Sequence, residues 1–191
     1  MGVFEYLGVI LSVIMGLGVT HILAGVSKTI HHRKTVKTYW VQALWAFNVL
    51  VYIVTIWWGM FWWSGQEEWS YFQFLLLLLY GILLFLAASL IFPWDISDDF
   101  DFEQHFYETR PWFFAVFALA WTIDIPETVS KSGIGLRNLP EAYLAFAITN
   151  IILAVIAALW SNKTYHKIFA AVWPVLTLSY LSLTTLAEIA N

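Results

Sequence analysis

Residues 4–28 read FEYLGVILSVIMGLGVTHILAGVSK, and this stretch decides the class of fold. A transmembrane helix needs about 20 consecutive apolar residues at roughly 1.5 Å each, so the stretch is long enough to cross a bilayer. Small residues recur along it at every fourth position, and on a neighbouring face two glycines flank the one histidine. Small residues let a second helix backbone come close. We therefore expect this helix to be the close-packed centre of the protein, with packing positions Gly8, Ser12, Gly16, Gly18 and Gly25.

The whole chain is also strongly apolar in composition. Of its 191 residues, 61% are hydrophobic and only 12% are charged, whereas a soluble domain carries about 25% charged residues. The absence of cysteine excludes disulfides and thiolate metal sites. The longest polar gap, residues 93–110, is too short for a soluble domain. A single transmembrane domain over residues 1–191 follows, and we expect neither a cofactor nor a nucleic-acid partner.

The apolar runs predict an all-α polytopic membrane protein with six spans. The predicted spans are residues 4–28, 38–63, 71–92, 111–130, 141–160 and 168–188. The third, almost pure Leu, Phe and Ile from Phe74 to Leu86, is expected to face lipid. The loop before the fourth span begins with Ser97 and several acids, which are typical of a helix start. We therefore expect a short interfacial helix there, between the third and fourth transmembrane helices, before Pro111 opens the fourth.

The distribution of Lys and Arg predicts the orientation. Seven of these residues lie on the side of loops one, three and five: Lys28, Arg33, Lys34, Lys37, Arg110, Lys163 and Lys167. Only Lys131 and Arg137 lie on the other side. The positive-inside rule therefore puts these three loops in the cytoplasm and both termini outside.

Polar residues inside the spans are the candidates for a transport site, because an ionisable side chain in a membrane needs a partner or a water-filled cavity. These candidates are His21, Asn48, Asp124, Glu127 and Asn150. His21, Asn48 and Asp124 fall at depths that would permit a relay or a small polar cavity. The alternatives are that His21 bonds a backbone carbonyl of a neighbouring helix, and that the fourth span ends early so that Asp124 and Glu127 touch outer water.

A second group of candidates lies at the predicted cytoplasmic surface. Imidazole and carboxylate groups together are the ligands of zinc or non-haem iron sites. The metal candidates are His31, His32, Glu103, His105 and Glu108. The alternative is that these are solvated side chains in interface loops. We predict no catalytic residue.

Four segments carry a resemblance to known proteins. They are residues 17–25 (LGVTHILAG), Tyr39-Trp40, residues 101–106 (DFEQHF) and residues 110–114 (RPWFF). Together they resemble a group of small polytopic inner-membrane proteins of bacteria that has no established activity. The resemblance implies a bacterial plasma membrane as the location and implies nothing about chemistry.

Three functional hypotheses remain open at this point. The first is a small channel or transporter with its polar site near His21, Asn48 and Asp124. The second is an accessory or scaffold membrane protein that assembles with copies of itself or with another membrane protein through the glycines of the first helix. The third is a membrane metalloenzyme. In all three the lipid bilayer is a partner.

Overall fold

The structure, a computed structural model, describes residues 2–66 and 68–190, with side chains as far as Ser182. Within these residues it is all-helical and contains no strand, only one isolated bridge between Lys37 and Asp101. The helices are α1 (Val3–His31), α2 (Trp40–Gly59), α3 (Tyr71–Ile91), α4 (Phe102–Ser132), α5 (Glu141–Leu159) and α6 (Lys163–Ala190), with short 3-10 turns at Met60–Trp63 and Leu136–Asn138. In the described part of the chain, α1 to α5 are long and apolar enough to cross a membrane, α2 together with its 3-10 turn. The predicted all-α class is confirmed.

The centre of the bundle is formed by α3 and α4. Helix α3 packs against α1, α2 and α4, and α4 also packs against α5. Half of the membrane-length segment of α3 is buried, against 33% of that of α1. The expectations that the first helix is central and the third faces lipid are therefore wrong. A helix that is apolar all round suits a protein core as well as it suits lipid, so hydrophobicity alone does not separate the two.

The two faces of α1 have different surroundings. A Cβ atom at Gly18 would lie 3.5 Å from Ala88 of α3, and one at Gly25 would lie 2.3 Å from the ring of Phe92. At Gly8 and Gly16 a Cβ would meet no atom within 4 Å. The face with Gly18 and Gly25 therefore packs against α3, whereas the face with Gly8 and Gly16 is open within this chain.

The fourth helix begins earlier than predicted. It runs without interruption from Phe102 through Pro111 to Ser132, so the expected separate interfacial helix is in fact the first part of α4. Asp101 caps its start, because its Oδ1 accepts hydrogen bonds from the backbone N–H groups of Glu103 (3.0 Å) and Gln104 (3.1 Å). These bonds satisfy N–H groups that have no partner within the helix. Pro111 therefore lies inside the helix, where it leaves the carbonyl of Tyr107 without its helical N–H partner.

Replacing Asp101 by alanine is expected to lower the Tm by a few degrees, because α4 loses its cap. The Gln104 backbone N–H is the main cause that lowers the pKa of Asp101, with a smaller effect of Lys37. The capping contribution is therefore present above the ordinary aspartate pKa of about 4 and is lost as the pH falls through the lowered value. Thermal unfolding in detergent should show a difference between wild type and D101A at pH 7 that shrinks toward pH 3. The control is D99N, because Asp99 is exposed and asparagine tolerates its positive φ. An equal difference at both pH values would contradict this account.

Candidate functional site

Asp124 lies inside α4 and is buried, with 7% of its surface exposed. Its Oδ1 accepts a hydrogen bond from the hydroxyl of Tyr80 on α3, at 2.7 Å. Its Oδ2 accepts one from the hydroxyl of Tyr143 on α5, also at 2.7 Å. A buried carboxylate is costly unless its oxygens are bonded, and two tyrosines from different helices meet that requirement here. Helix α4 continues past Asp124 to Ser132, so Asp124 lies well inside this helix.

A third tyrosine extends this network to α2. The hydroxyls of Tyr52 and Tyr80 lie 3.0 Å apart and both side chains are buried. Since the single proton of the Tyr80 hydroxyl goes to Asp124, Tyr52 is the donor in this pair. The chain Tyr52–Tyr80–Asp124–Tyr143 therefore joins four helices through hydroxyl and carboxylate groups. Such a network fixes the position of the carboxylate at the point where the four helices meet.

One turn further along α4, Glu127 is also buried, with 4% of its surface exposed. Lys131 donates to both of its oxygens, at 3.0 and 3.1 Å, and the indole N–H of Trp63 donates to Oε1 at 2.7 Å. The two carboxylates thus differ in their partners. The charge of Glu127 is balanced by an ammonium group, whereas Asp124 forms an ion pair with no described residue.

A cavity of about 350 Å³ opens beside Asp124, between α2, α4, α5 and α6. Asp124, Lys131 and Thr177 contribute its polar side chains, together with two further threonines and the hydroxyls of three tyrosines. It lies at the end of the bundle where α2 and α4 end and α5 begins. We call it the Asp124 cavity.

Two residues of the cavity wall each hold a polar atom that has no hydrogen-bond partner among the described residues. They are Trp121, with its indole N–H, and Thr177, with its hydroxyl, and the two residues are only 5% and 4% exposed. Buried polar groups are nearly always bonded, and leaving one unbonded costs about 1–3 kcal/mol. Both atoms are closed to solvent, so they are covered by packed side chains and do not face the open space of the cavity.

The structure places His21 elsewhere. Its Nε2 lies 3.0 Å from the carbonyl oxygen of Phe92 at the end of α3, and its ring meets that of Trp94 edge-on, with centroids 4.6 Å apart. It lines a groove of about 320 Å³ with Lys28 and Trp94. This hydrogen bond is of the kind that the interhelical alternative expects. His21 is thus near the opposite end of the bundle from Asp124.

The two intramembrane asparagines also have partners of their own. Asn48 is fully buried and its side-chain N–H₂ donates to the Ala170 carbonyl at 3.1 Å. Asn150 accepts a hydrogen bond from the indole of Trp173 at 2.8 Å and donates to the Phe146 carbonyl at 2.9 Å. Neither lines the Asp124 cavity. The structure therefore brings Asp124 and Glu127 into one region and leaves His21, Asn48 and Asn150 outside it.

The metal candidates are dispersed over the other end of the bundle. In the described part of the chain no three His, Cys, Asp or Glu side chains form a group that could hold a metal ion. Glu103 accepts a hydrogen bond from Lys163 at 2.6 Å, and Glu108 accepts one from Gln104. The ring of His31 lies within hydrogen-bond distance of a backbone carbonyl of its own helix. His105 packs its ring against Phe100. His32 lies 3.3 Å from Asp98, and hydrogen bonds from Thr35 and His32 lower the pKa of that carboxyl group.

Several residues of the site were not among the sequence candidates. Tyr80 interrupts a run of leucines in the third span, and a hydroxyl at that depth needs a partner, which was a usable signal. Tyr52, inside the second predicted span, also carries a hydroxyl that needs a partner. Tyr143 and Lys131 lie next to span ends, where tyrosine and lysine are ordinary interface residues, so only the structure identifies them. The tertiary fold therefore supplied the partners of Asp124 and Glu127.

Comparison of the chain with protein-family models, with curated proteins and with solved structures finds no match. The chemistry of the site is the remaining guide to function. A buried carboxylate on a hydroxyl network, open to a cavity, is able to hold a cation or to exchange a proton.

Proposed function

We propose that this chain is a small integral membrane protein of the channel or transporter type, and that the Asp124 cavity binds the cation or proton that it moves. One observation carries the proposal. Asp124 lies within a membrane-length helix, is buried, has no cationic partner among the described residues and lines a cavity of about 350 Å³. Intramembrane acids of this kind mark ion pathways and proton relays.

The proposed topology has six spans with α6 as the last, both termini outside and the basic loops in the cytoplasm. The excess of Lys and Arg on one side supports it. In this orientation the Asp124 cavity opens toward the outer half of the membrane and the groove at His21 lies toward the inner half. The resemblance of residues 17–25 and 110–114 to bacterial inner-membrane proteins supports the bacterial plasma membrane as the location.

A second candidate function is that of an accessory or scaffold protein that assembles through α1, either as a homo-oligomer or with another membrane protein. The open face of α1 favours it, since a Cβ atom at Gly8 or Gly16 would meet no atom of the described residues within 4 Å. Small residues on an exposed helix face permit close helix–helix packing. If assembly uses this face, G16L should shift the protein to a smaller species in size-exclusion chromatography. An unchanged elution volume would argue against it. No feature of the described residues favours the metalloenzyme hypothesis.

The transport proposal is tested in proteoliposomes that contain a trapped pH-sensitive dye. An imposed inside-negative potential is expected to acidify the lumen faster than in protein-free liposomes. D124N, which keeps the shape of the side chain and removes its charge, is expected to reduce this rate to the protein-free level. E141Q is the matched control, because Glu141 is an exposed acid at the same end of the bundle. Equal rates for wild type and D124N, with D124N and E141Q both helical by circular dichroism, would contradict proton movement through the Asp124 cavity.

A further inference from the structure

The wall of the Asp124 cavity is unusually rich in aromatic rings. Six of its lining residues are aromatic: Tyr52, Trp62, Trp121, Tyr143, Phe146 and Tyr180. We propose that the cavity binds a small organic ammonium compound. This inference rests on the proposed function and names the class of molecule that the site takes.

The net charge of the site favours the binding of a cation. Asp124 and Glu127 supply two carboxylates, and Lys131 is held by both oxygens of Glu127. One negative charge therefore remains, on Asp124, and it faces the cavity. Its two oxygens accept one hydrogen bond each, from Tyr80 and Tyr143, and a carboxylate has about four acceptor positions. Room remains for a donor from a ligand.

The rings determine which kind of cation fits. An inorganic cation such as Mg²⁺ or Ca²⁺ needs about six oxygen ligands, whereas most of this wall is carbon. Aromatic faces attract an ammonium group and pack well against its carbon substituents. The rings also hold one another in place. Trp121 stacks on Tyr52 (centroids 5.2 Å apart, 11° between planes) and meets Phe146 edge-on (5.3 Å), while Phe146 stacks on Tyr180 (4.4 Å, 7°). An organic ammonium compound therefore suits this wall better than a metal ion does.

The size of the cavity limits the size of the ligand. The volume of about 350 Å³ is at the small end of the range for ligand cavities, which limits the ligand to a small molecule.

Choline, tetramethylammonium and 3,3-dimethylbutan-1-ol are the probes that separate these requirements. Choline has an ammonium group and a hydroxyl oxygen, tetramethylammonium has only the ammonium group, and 3,3-dimethylbutan-1-ol is the neutral isostere of choline. Binding to the full chain in phosphatidylglycerol nanodiscs is measured by calorimetry. We expect saturable binding of choline, with the neutral isostere at least about tenfold weaker because it lacks the attraction to Asp124 and the rings.

Variants assign the two contacts. D124N should weaken the binding of choline to the level of the neutral isostere, and E141Q should leave the affinity for choline unchanged. W62L, which removes one aromatic ring of the cavity wall, should weaken the binding of choline and of tetramethylammonium alike. W58L is the control, because Trp58 is 72% exposed and outside the cavity. Equal binding of choline and its neutral isostere by the unmodified protein, or no saturable binding of choline, would overturn the inference without any variant.

The same assay identifies the source of the ammonium group. If nanodiscs that contain phosphatidylcholine no longer bind free choline, the lipid headgroup occupies the cavity; undiminished binding indicates a free small molecule. Either result supports the ligand class. Binding is also independent of the flux assay. Choline binding with neither proton flux nor uptake of labelled choline into proteoliposomes would contradict the transport proposal alone, and Asp124-dependent proton flux without choline binding would overturn the ligand class alone.

Discussion

The Glu127→Leu variant is expected to lose about 3 kcal/mol of stability or more, because the substitution removes the only described partner of a partly buried ammonium group. The side chains of Glu127 and Lys131 are 5% and 21% exposed. Breaking a buried pair by removing one member costs about 3–5 kcal/mol, and the partial exposure of Lys131 places the expected value near the lower end. The indole N–H of Trp63 also loses its acceptor, which adds to the cost. Thermal unfolding in detergent, followed by circular dichroism, measures the effect.

The double variant E127L/K131M is the control for this explanation. It removes both charges and puts side chains of similar size in their place, so the uncompensated ammonium group no longer exists. Replacing a buried ion pair by apolar residues is often close to neutral. We therefore expect the double variant to recover the part of the lost stability that comes from the uncompensated ammonium group, and to keep the cost of the unbonded Trp63 indole. A double variant as unstable as E127L would show that the ion pair is not the source of the effect.

Gly25→Ala is expected to destabilise the protein by about 3 kcal/mol, the upper end of the usual cost of overpacking. The new Cβ would lie 2.3 Å from Cγ of Phe92 and 2.5 and 2.7 Å from its two Cδ atoms. The Phe92 ring has little freedom to move, since it is 2% exposed and packs edge-on against Phe102. Alanine stabilises a helix by only about 1 kcal/mol relative to glycine, so the steric clash determines the net effect on stability.

Gly16→Ala is the matched comparison on the same helix. A Cβ at Gly16 would meet no atom within 4 Å, so only the gain in helix propensity of about 1 kcal/mol remains. We expect an unchanged or slightly higher Tm for G16A and a clearly lower one for G25A, with both proteins purified in the same detergent. Equal unfolding temperatures would mean that α1 does not pack against the end of α3 in this way.

The helices themselves could be predicted from sequence because their length and apolar composition are local properties. The spans at residues 71–92 and 141–160 agree within one residue with α3 (Tyr71–Ile91) and α5 (Glu141–Leu159). The start of α4 could not be placed so well. Proline at the first position of a helix is common, which favoured Pro111, whereas the cap at Asp101 is equally good local chemistry and lies ten residues earlier. The two local signals are of similar strength. Phe102 and Phe106 are buried in the core, and these tertiary contacts favour the earlier start.

The candidate site was predictable in part. Asp124 and Glu127 were identifiable because a carboxylate inside an apolar span needs a reason to be there. Their partners were not, since Tyr80 and Tyr143 are separated from Asp124 by 44 and 19 residues in the chain. His21 and Asn48 satisfied the same sequence criterion as Asp124, yet each meets a backbone carbonyl instead. A polar side chain in a span either belongs to a functional site or forms a hydrogen bond between helices, and its position in the sequence does not show which.

The sequence by itself determined that this is a chain of long apolar helices with a few buried polar groups, because the bilayer imposes helix length and apolar character on each segment separately. The tertiary structure alone decided which helix is central, which face of α1 is packed, and that Asp124 rather than His21 faces the aromatic cavity. The physical reason is that lipid and a protein core are equally apolar. Helix–helix arrangement then depends on shape and on individual hydrogen bonds between distant residues, such as that from Tyr80 to Asp124.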